Sequence, residues 1–148
     1  MDLTRKSRFK HDVIEKFEDG QCIFEEGDNG RNLYIIQKGE VRILKKMGDD
    51  DVELARFERG DFFGDMGLLQ NIPRYAGAYA VGNVRLLILG RAGFLLKMRR
   101  DPTFAFEMLQ QLSHRIKVSN DRLLQLVEKS KLPTSEIQKI LHDLDGKA

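Results

Sequence analysis

The chain has 148 residues, a length that fits one domain spanning residues 1–148. Its formal net charge of +2 is too close to neutral to indicate a protein that binds nucleic acid or a membrane surface. Cys22 is the single cysteine, so an internal disulfide is excluded, and the sequence shows neither a secretory leader nor a long apolar run. These features predict a soluble, cytoplasmic protein.

The N-terminal segment is predicted to be a modest amphipathic helix over residues 3–17. Val13, Ile14 and Phe17 are apolar at a spacing that fits one helix face. Gly20 is predicted to end this helix.

Short apolar or alternating runs then follow as far as residue 89, and they predict β-strands. Glycine-rich turns at residues 27–30, 38–39 and 48–51 separate several of them. Strands at this spacing favour a barrel or a sandwich. The predicted strands are residues 22–24, 33–37, 41–44, 52–57, 76–81 and 84–89.

Helices are predicted after Gly90. A short helix covers residues 92–99, and Asp101 followed by Pro102 is typical of an N-cap and first helical position. The long helix that begins there, over about residues 101–130, has an apolar seam that we expect to meet the same helix of a second copy. The alternative is a helix packed only on its own barrel. The seam consists of Leu109, Leu112, Ile116, Leu123 and Leu126.

A last helix is predicted over about residues 135–145, after the break at Pro133. Ser135 and Gln138 have the spacing of a capping box. The helix carries an apolar stripe that needs a partner surface, either in the same domain or on another protein. The stripe consists of Ile137, Ile140, Leu141 and Leu144.

Residues 60–74 are the part of the sequence most informative about chemistry. A short helix can begin just after Gly64, and the free N–H groups of its first turn would favour an anion. Arg74 can supply the fork of donors that matches a phosphate. Asp65 can accept a hydrogen bond from a hydroxyl group. Together these groups indicate a nucleotide, although Arg74 taken alone could form a surface salt bridge, for example with Asp65.

Catalytic and metal chemistry are not indicated. No histidine pair or cysteine cluster has metal-ligand spacing, and there is neither a P-loop nor a nucleophile elbow. The acidic run at residues 49–51 is interpreted as a charged hairpin tip, and Cys22 as a small buried residue. We therefore predict a protein that is not an enzyme, with no catalytic residue, no metal and no cofactor.

The spaced elements of the chain resemble the cyclic nucleotide-binding domain, and the resemblance covers roughly residues 17–126. It implies a mainly β fold with flanking helices: a double-stranded β-helix, or β-roll of the jelly-roll type, over about residues 20–90, followed by a long C-terminal helix. The elements that carry the resemblance are Phe17-x-x-Gly20, Ile23-x-x-x-Gly27, Leu33-Tyr34-Ile35-Ile36-x-x-Gly39-x-Val41, Gly60-Asp61-x-Phe63-Gly64 and Pro73-Arg74-x-Ala76.

The resemblance also implies a ligand site. Arg74 and the N–H groups after Gly64 would hold the cyclic phosphate, and Asp65 would take the ribose 2′-hydroxyl. Asp65 stands where the family usually has Glu, Gly67 where it has Ala, and Gly77 where it has Thr or Ser, so tight binding is in question. The implied ligand-binding residues are Phe63, Gly64, Asp65, Met66, Gly67, Leu68, Arg74, Tyr75, Ala76, Ser119 and Asn120.

Ser119 and Asn120 are included because their segment is similar to the one that places a polar pair over the adenine in the catabolite activator protein. The alternative is that both are ordinary polar positions on an exposed helix.

The predicted function is therefore a stand-alone regulatory sensor for a cyclic purine mononucleotide, with cyclic AMP favoured over cyclic GMP as the ligand. It would act as a homodimer through the long helix and signal to a separate effector protein. Residues 131–148 are too few for a DNA-binding domain, which disfavours a DNA-binding regulator. The main alternative is a degenerate domain that serves as a protein–protein interaction module without binding a nucleotide.

Overall fold

A computed structural model describes residues 13–146 and contains, within that range, six strands and four helices. The strands are β1 (Val13–Phe17), β2 (Cys22–Phe24), β3 (Leu33–Met47), β4 (Asp50–Phe57), β5 (Phe62–Phe63) and β6 (Gly77–Leu89). The helices are α1 (Asp65–Gln70), α2 (Arg91–Arg100), α3 (Pro102–Ser130) and α4 (Thr134–Leu144).

All six strands belong to one antiparallel sheet in which β6 is central. The main order is β1-β6-β3-β4, with β2 also paired to β6 and β5 paired to β3. Tyr34 of β3 lies opposite Ile88 of β6 and also opposite Phe63 of β5. This pairing brings the end of β5, where α1 begins, next to the middle of the sheet.

Two pairs of predicted strands are single long strands in the structure. Residues 33–37 and 41–44 both lie in β3, and residues 77–81 and 84–89 both lie in β6, which begins one residue later than predicted. The register between these strands shifts on either side of Lys38. Gly39 has a φ of +85°, and a Cβ there would collide with the carbonyl oxygen of Asn83. The glycine that suggested a break therefore permits a bulge within a continuous strand.

The predicted N-terminal helix is wrong for its last five residues. Residues 13–17 form β1, which pairs with β6 from Val13 opposite Ile88 to Phe17 opposite Val84. Main-chain pairing with a distant strand and burial of Phe17 in the core outweigh a weak helical periodicity. Residues 3–12 of that predicted helix lie outside the described part of the chain.

The core occupies both faces of the middle of the sheet. Alternate residues of β3 and β6, including Tyr34, Ile36, Leu86 and Ile88, join one buried cluster with Phe63. The residues between them point to the opposite face and are also buried. These are Leu33, Ile35, Leu87 and Leu89.

The chain divides into two compact units whose boundary, between Ala105 and Phe106, lies inside α3. In the first unit, the N–H of Phe104 donates to Oδ1 of Asp101 at 3.2 Å, which confirms the predicted N-cap. The expectation of one domain over residues 1–148 stays a prediction.

The second unit contains most of α3 and all of α4. Four of the predicted seam residues of α3 are exposed: Leu109, Ile116, Leu123 and Leu126. The predicted capping box of α4 is wrong, because Pro133 is the N-cap residue and its carbonyl accepts the N–H groups of Glu136 and Ile137. A helix long and apolar enough to cross a bilayer is not found between residues 13 and 146.

Candidate ligand-binding site

Arg74 is buried just before β6, with 4% of its surface exposed. Its main chain is fixed by the turn after β2: the N–H of Arg74 donates to the carbonyl of Asp28 at 2.7 Å, and the N–H of Gly27 donates to the carbonyl of Arg74 at 2.8 Å. The interpretation of Arg74 as a surface salt-bridge residue does not fit this burial.

The guanidinium of Arg74 makes two hydrogen bonds to neutral groups. Nη1 donates to the carbonyl of Gly64 at 2.9 Å, and Nη2 donates to the carbonyl of Asn32 at 3.0 Å. Nε is buried and has no hydrogen-bond partner among residues 13–146. A buried donor without an acceptor is unfavourable by about 1–3 kcal/mol. Arg74 therefore keeps one buried donor for which residues 13–146 supply no acceptor of good geometry.

Burial also affects the acid–base properties of the guanidinium. Desolvation lowers the pKa of Arg74, and the neighbouring groups Tyr34, Asp28 and Asp65 oppose that shift. An arginine remains charged at neutral pH despite such a shift, because its ordinary pKa lies far above neutral pH. The site thus keeps a full positive charge in a poorly solvated position.

Three glycines allow the main chain to approach the guanidinium closely. A Cβ on Gly30 would lie 2.9 Å from Nη2 of Arg74, one on Gly64 would lie 3.0 Å from Nη1, and one on Gly67 would lie 2.8 Å from Nη1. Gly64 also has a φ of +81°, which side chains rarely tolerate. A Cβ on Gly64 or Gly67 would also collide with a main-chain carbonyl oxygen, that of Asn32 at 2.7 Å or that of Gly30 at 2.6 Å, so glycine is required at these two positions. A Cβ on Gly30 would meet only the guanidinium.

The short helix α1 begins after Gly64, as predicted, and spans residues Asp65–Gln70. Gly64 is its N-cap residue and supplies no side-chain hydrogen bond. The first N–H groups of a helix have no acceptor within the helix, so an anion near this end is favoured. Asp65 is half-buried in the first turn, where its charge acts on the pKa of Arg74.

Nine of the predicted site residues lie around Arg74 and α1, with very different exposure. Phe63 is buried in β5 and stacks on Tyr34 with ring centroids 5.0 Å apart. Gly67, Leu68 and Ala76 are buried, whereas Met66 and Tyr75 are exposed.

Ser119 and Asn120, the other two predicted site residues, are exposed on α3 in the second unit. Their place over a ligand stays a prediction.

Gly77, which stands where the resemblance implies a hydroxyl side chain, lies close to an aromatic ring. A Cβ on Gly77 would lie 2.8 Å from Cε2 and 3.0 Å from the hydroxyl oxygen of Tyr79, two residues along β6. Residue 77 therefore has no room for a threonine unless Tyr79 moves. Glycine here is explained by the packing of Tyr79.

Sequence reasoning missed several residues that surround Arg74. Phe24 lies against its guanidinium, with Cζ 4.2 Å from the ring centroid, and Asn32 and Gly30 contribute main-chain groups. The glycine-rich turn at residues 27–30 was recognised only as a turn. This turn lies near Arg74 only because residues more than forty positions apart in the sequence are in contact, and no local sequence pattern encodes such a contact.

A second missed feature supports the residue after Arg74. Nζ of Lys45 donates to the carbonyl of Tyr75 at 2.9 Å and lies 4.3 Å from the centroid of its ring. The same ammonium pairs with Oε1 of Glu26 at 2.7 Å. This Glu26–Lys45 pair lowers the pKa of Glu26, mainly through the hydrogen bond from Lys45.

The family model described as the cyclic nucleotide-binding domain matches residues 14–101. The match covers more than half of the chain, so the chain belongs to the cyclic nucleotide-binding domain family. The predicted mainly β fold with flanking helices and a long C-terminal helix is confirmed by this match and by the solved structures.

Two curated proteins similar to this chain have names that describe a regulatory subunit and a receptor protein. The chain is 38% identical over 85 residues to the cAMP-dependent protein kinase regulatory subunit of Mucor circinelloides f. lusitanicus, covering 56% of this chain and 20% of that protein. It is 35% identical over 102 residues to the cyclic AMP receptor protein of Thermus thermophilus, covering 68% of this chain and 47% of that protein. The chain thus matches less than half the length of either relative.

Solved structures show the same fold. The Thermus thermophilus catabolite activator protein has a TM-score of 0.70 at 32% identity, covering 79% of this chain and 55% of that chain. The c-di-GMP responsive regulator CLP of Xanthomonas campestris has a TM-score of 0.71 at 25% identity, and the match covers 90% of this chain and 67% of that chain. The EAL enzyme Bd1971 has a TM-score of 0.58 at 30% identity, and the match covers 73% of this chain and 97% of that chain. The fold therefore occurs in proteins with different outputs.

Proposed function

We propose that this chain is a regulatory sensor domain that binds a cyclic purine mononucleotide, with the cyclic phosphate on Arg74. The observation that carries the proposal is the buried guanidinium of Arg74, whose Nε–H has no acceptor within residues 13–146. A phosphate would supply that acceptor and a countercharge at the same time. The role is binding and regulation, not catalysis.

The elements around Arg74 support a phosphate specifically. The N-terminus of α1 begins at Gly64, whose carbonyl already contacts Nη1 of Arg74. N–H groups at a helix start and an arginine fork are the donors that cyclic phosphates use best. Asp65, in the first turn, is proposed to accept the ribose 2′-hydroxyl, although its side chain is one methylene shorter than the usual glutamate.

We favour cyclic AMP over cyclic GMP as the ligand. The curated relatives at 35–38% identity are named for cyclic AMP. The solved structure named for a cyclic-GMP-dependent signalling pathway is less similar, at 27% identity.

The output is proposed to pass through α3. Its seam residue Ile116 is 63% exposed, and Leu109 and Leu126 are exposed to a similar degree. Two copies that pair along this seam would bury those side chains and form a homodimer. Ligand binding would shift the population between two packings of the dimer, which a separate effector could detect.

Titration calorimetry with cyclic AMP and cyclic GMP tests the proposed function. We expect binding of both, tighter for cyclic AMP, and loss of the signal in Arg74→Ala. Arg85→Ala is the matched control, because Arg85 is an exposed arginine on β6, and it should bind as wild type. An absence of heat in the wild type at about 1 mM of either ligand, which corresponds to a binding free energy weaker than about −4 kcal/mol, would overturn the proposal.

The alternative function is a protein-interaction module without a nucleotide. The exposed stripe of α4 favours it, since Leu144 is 77% exposed and Ile140 is also exposed. Absence of nucleotide binding, together with a stable partner that is lost when residues 134–148 are deleted, would support this alternative.

A further inference from the structure

The ring of Phe24 lies against the guanidinium of Arg74. Cζ of Arg74 is 4.2 Å from the centroid of Phe24 and 5.6 Å from the centroid of Tyr34. A cation that is removed from water gains more from such an aromatic face than an exposed one does. Phe24 therefore contributes to the stability of a charge that is otherwise poorly solvated.

The hydrogen bonds of Arg74 hold one end of its guanidinium. Nη1 and Nη2 donate to the carbonyls of Gly64 and Asn32, and both bonds lie at the same end of the planar group. The Nε end makes no such bond within residues 13–146 and is held by its link to Cδ and by the aromatic rings near the plane. Phe24, the nearer ring, thus helps to set the direction in which Nε–H points.

We propose that Phe24 is a positioning residue for the ligand phosphate, because it holds the guanidinium of Arg74 at the angle where Nε–H meets a phosphate oxygen. This inference rests on the proposed function. It adds to that function a residue outside the phosphate-binding turn, on β2.

Phe24 also packs in the core, and an experiment must separate this packing from the proposed positioning of Arg74. Its ring lies 5.6 Å from that of Tyr34 and 5.9 Å from that of Phe63, and it packs on the core cluster. Phe17 belongs to the same cluster but lies on β1. Phe17→Leu is therefore the matched control for loss of an aromatic ring from this core.

Calorimetry on the full chain with cyclic AMP separates the two roles. Phe24→Leu is expected to weaken binding about five- to thirtyfold, the equivalent of about 1–2 kcal/mol, because the guanidinium would lose the orientation that the ring gives it before the phosphate binds. Phe24→Tyr, which keeps the ring face, should bind within about twofold of wild type, a difference of less than about 0.5 kcal/mol. Phe17→Leu should also bind cyclic AMP within about twofold of wild type. Equal weakening in Phe24→Leu and Phe17→Leu would overturn the inference.

A second measurement needs neither ligand nor a Phe24 variant. In the ¹H–¹⁵N spectrum of the wild type, the Arg74 Nε–H signal, assigned by its loss in Arg74→Lys, should be displaced upfield by the ring current of Phe24. A signal at the position of exposed arginines would overturn the inference. If the wild type gives no heat with nucleotide but shows the displaced signal, the proposed function fails while the contact between Phe24 and Arg74 is supported.

Discussion

Nη1 of Arg74 donates a 2.9 Å hydrogen bond to the carbonyl of Gly64, the residue that caps the N-terminus of α1. The same carbonyl accepts the N–H of Leu68, at 3.4 Å, in the first turn of that helix. Nη1 has a second N–H besides the one that donates to this carbonyl. The positions of Arg74 and of α1 are therefore linked through a single carbonyl oxygen.

The first prediction concerns the fork geometry of Arg74. Arg74→Lys keeps the positive charge but loses the planar pair of Nη donors and the Nε–H. Loss of a hydrogen bond to a charged group corresponds to about 1.5–3 kcal/mol, so cyclic AMP should bind about 10- to 100-fold more weakly by calorimetry. Wild-type affinity in Arg74→Lys would show that charge alone is sufficient.

Gly67→Ala tests the close approach of the main chain to Arg74. Alanine is the better helix former. Here, however, its Cβ would lie 2.6 Å from the carbonyl of Gly30 and 2.8 Å from Nη1 of Arg74. We expect destabilisation by about 1–3 kcal/mol in urea unfolding, as for other overpacked sites.

Gly90→Ala provides the control for that substitution. A Cβ on Gly90 would meet only Oδ1 of Asn32, at an ordinary 3.7 Å. The unfolding free energy should therefore change by less than about 1 kcal/mol, the usual range for glycine-to-alanine changes without strain. If Gly67→Ala is as stable as Gly90→Ala, the account of the glycines around Arg74 is wrong.

Dimerisation along α3 is predicted to depend on Ile116. Ile116→Arg places a charge in the middle of the proposed seam and should convert a dimeric wild type into monomers at tens of micromolar in light scattering. Gln110→Arg, at an exposed polar position of the same helix, should remain dimeric. A wild type that is monomeric at that concentration would refute the prediction.

The Glu26–Lys45 pair predicts a pH dependence of stability. The pKa of Glu26 is lowered from its usual 4.5 by Lys45 and by the N–H of Lys46. A lowered carboxyl pKa stabilises the fold above the unfolded-state value, and this contribution is lost as the pH falls through the folded-state value. Urea unfolding of Glu26→Gln should therefore vary less than wild type between about pH 5 and pH 3.

Lys45→Met removes the other partner of that pair and should reduce the same pH dependence. An unchanged profile in both variants would show that the pair does not contribute to stability. The pair is partly exposed, so salt should weaken its effect.

Much of the fold was accessible from local patterns. The alternation of residues 52–57 predicted most of β4, and Asp101 followed by Pro102 predicted the start of α3. Gly64 and the residues after it predicted α1. In each case the determining chemistry lies within a few residues: a side-chain alternation, a cap or a glycine with positive φ.

The errors and omissions arise from contacts between distant parts of the chain. Residues 13–17 form a strand because β6, some seventy residues away, pairs with them. Phe24 and Asn32 reach Arg74 only once β2 and β3 are in place. The period of α3 predicted five seam residues, of which four are exposed, and their pairing with a second copy stays a prediction.

The most direct test of the central claim follows the Arg74 Nε–H signal in the ¹H–¹⁵N spectrum during titration with cyclic AMP, with adenosine as the phosphate-free control. Because Nε has no acceptor within the described residues, a phosphate oxygen should shift this signal strongly and saturably, and adenosine should not. A signal that stays in place at saturating cyclic AMP would contradict the assignment of Arg74 as the phosphate-binding residue.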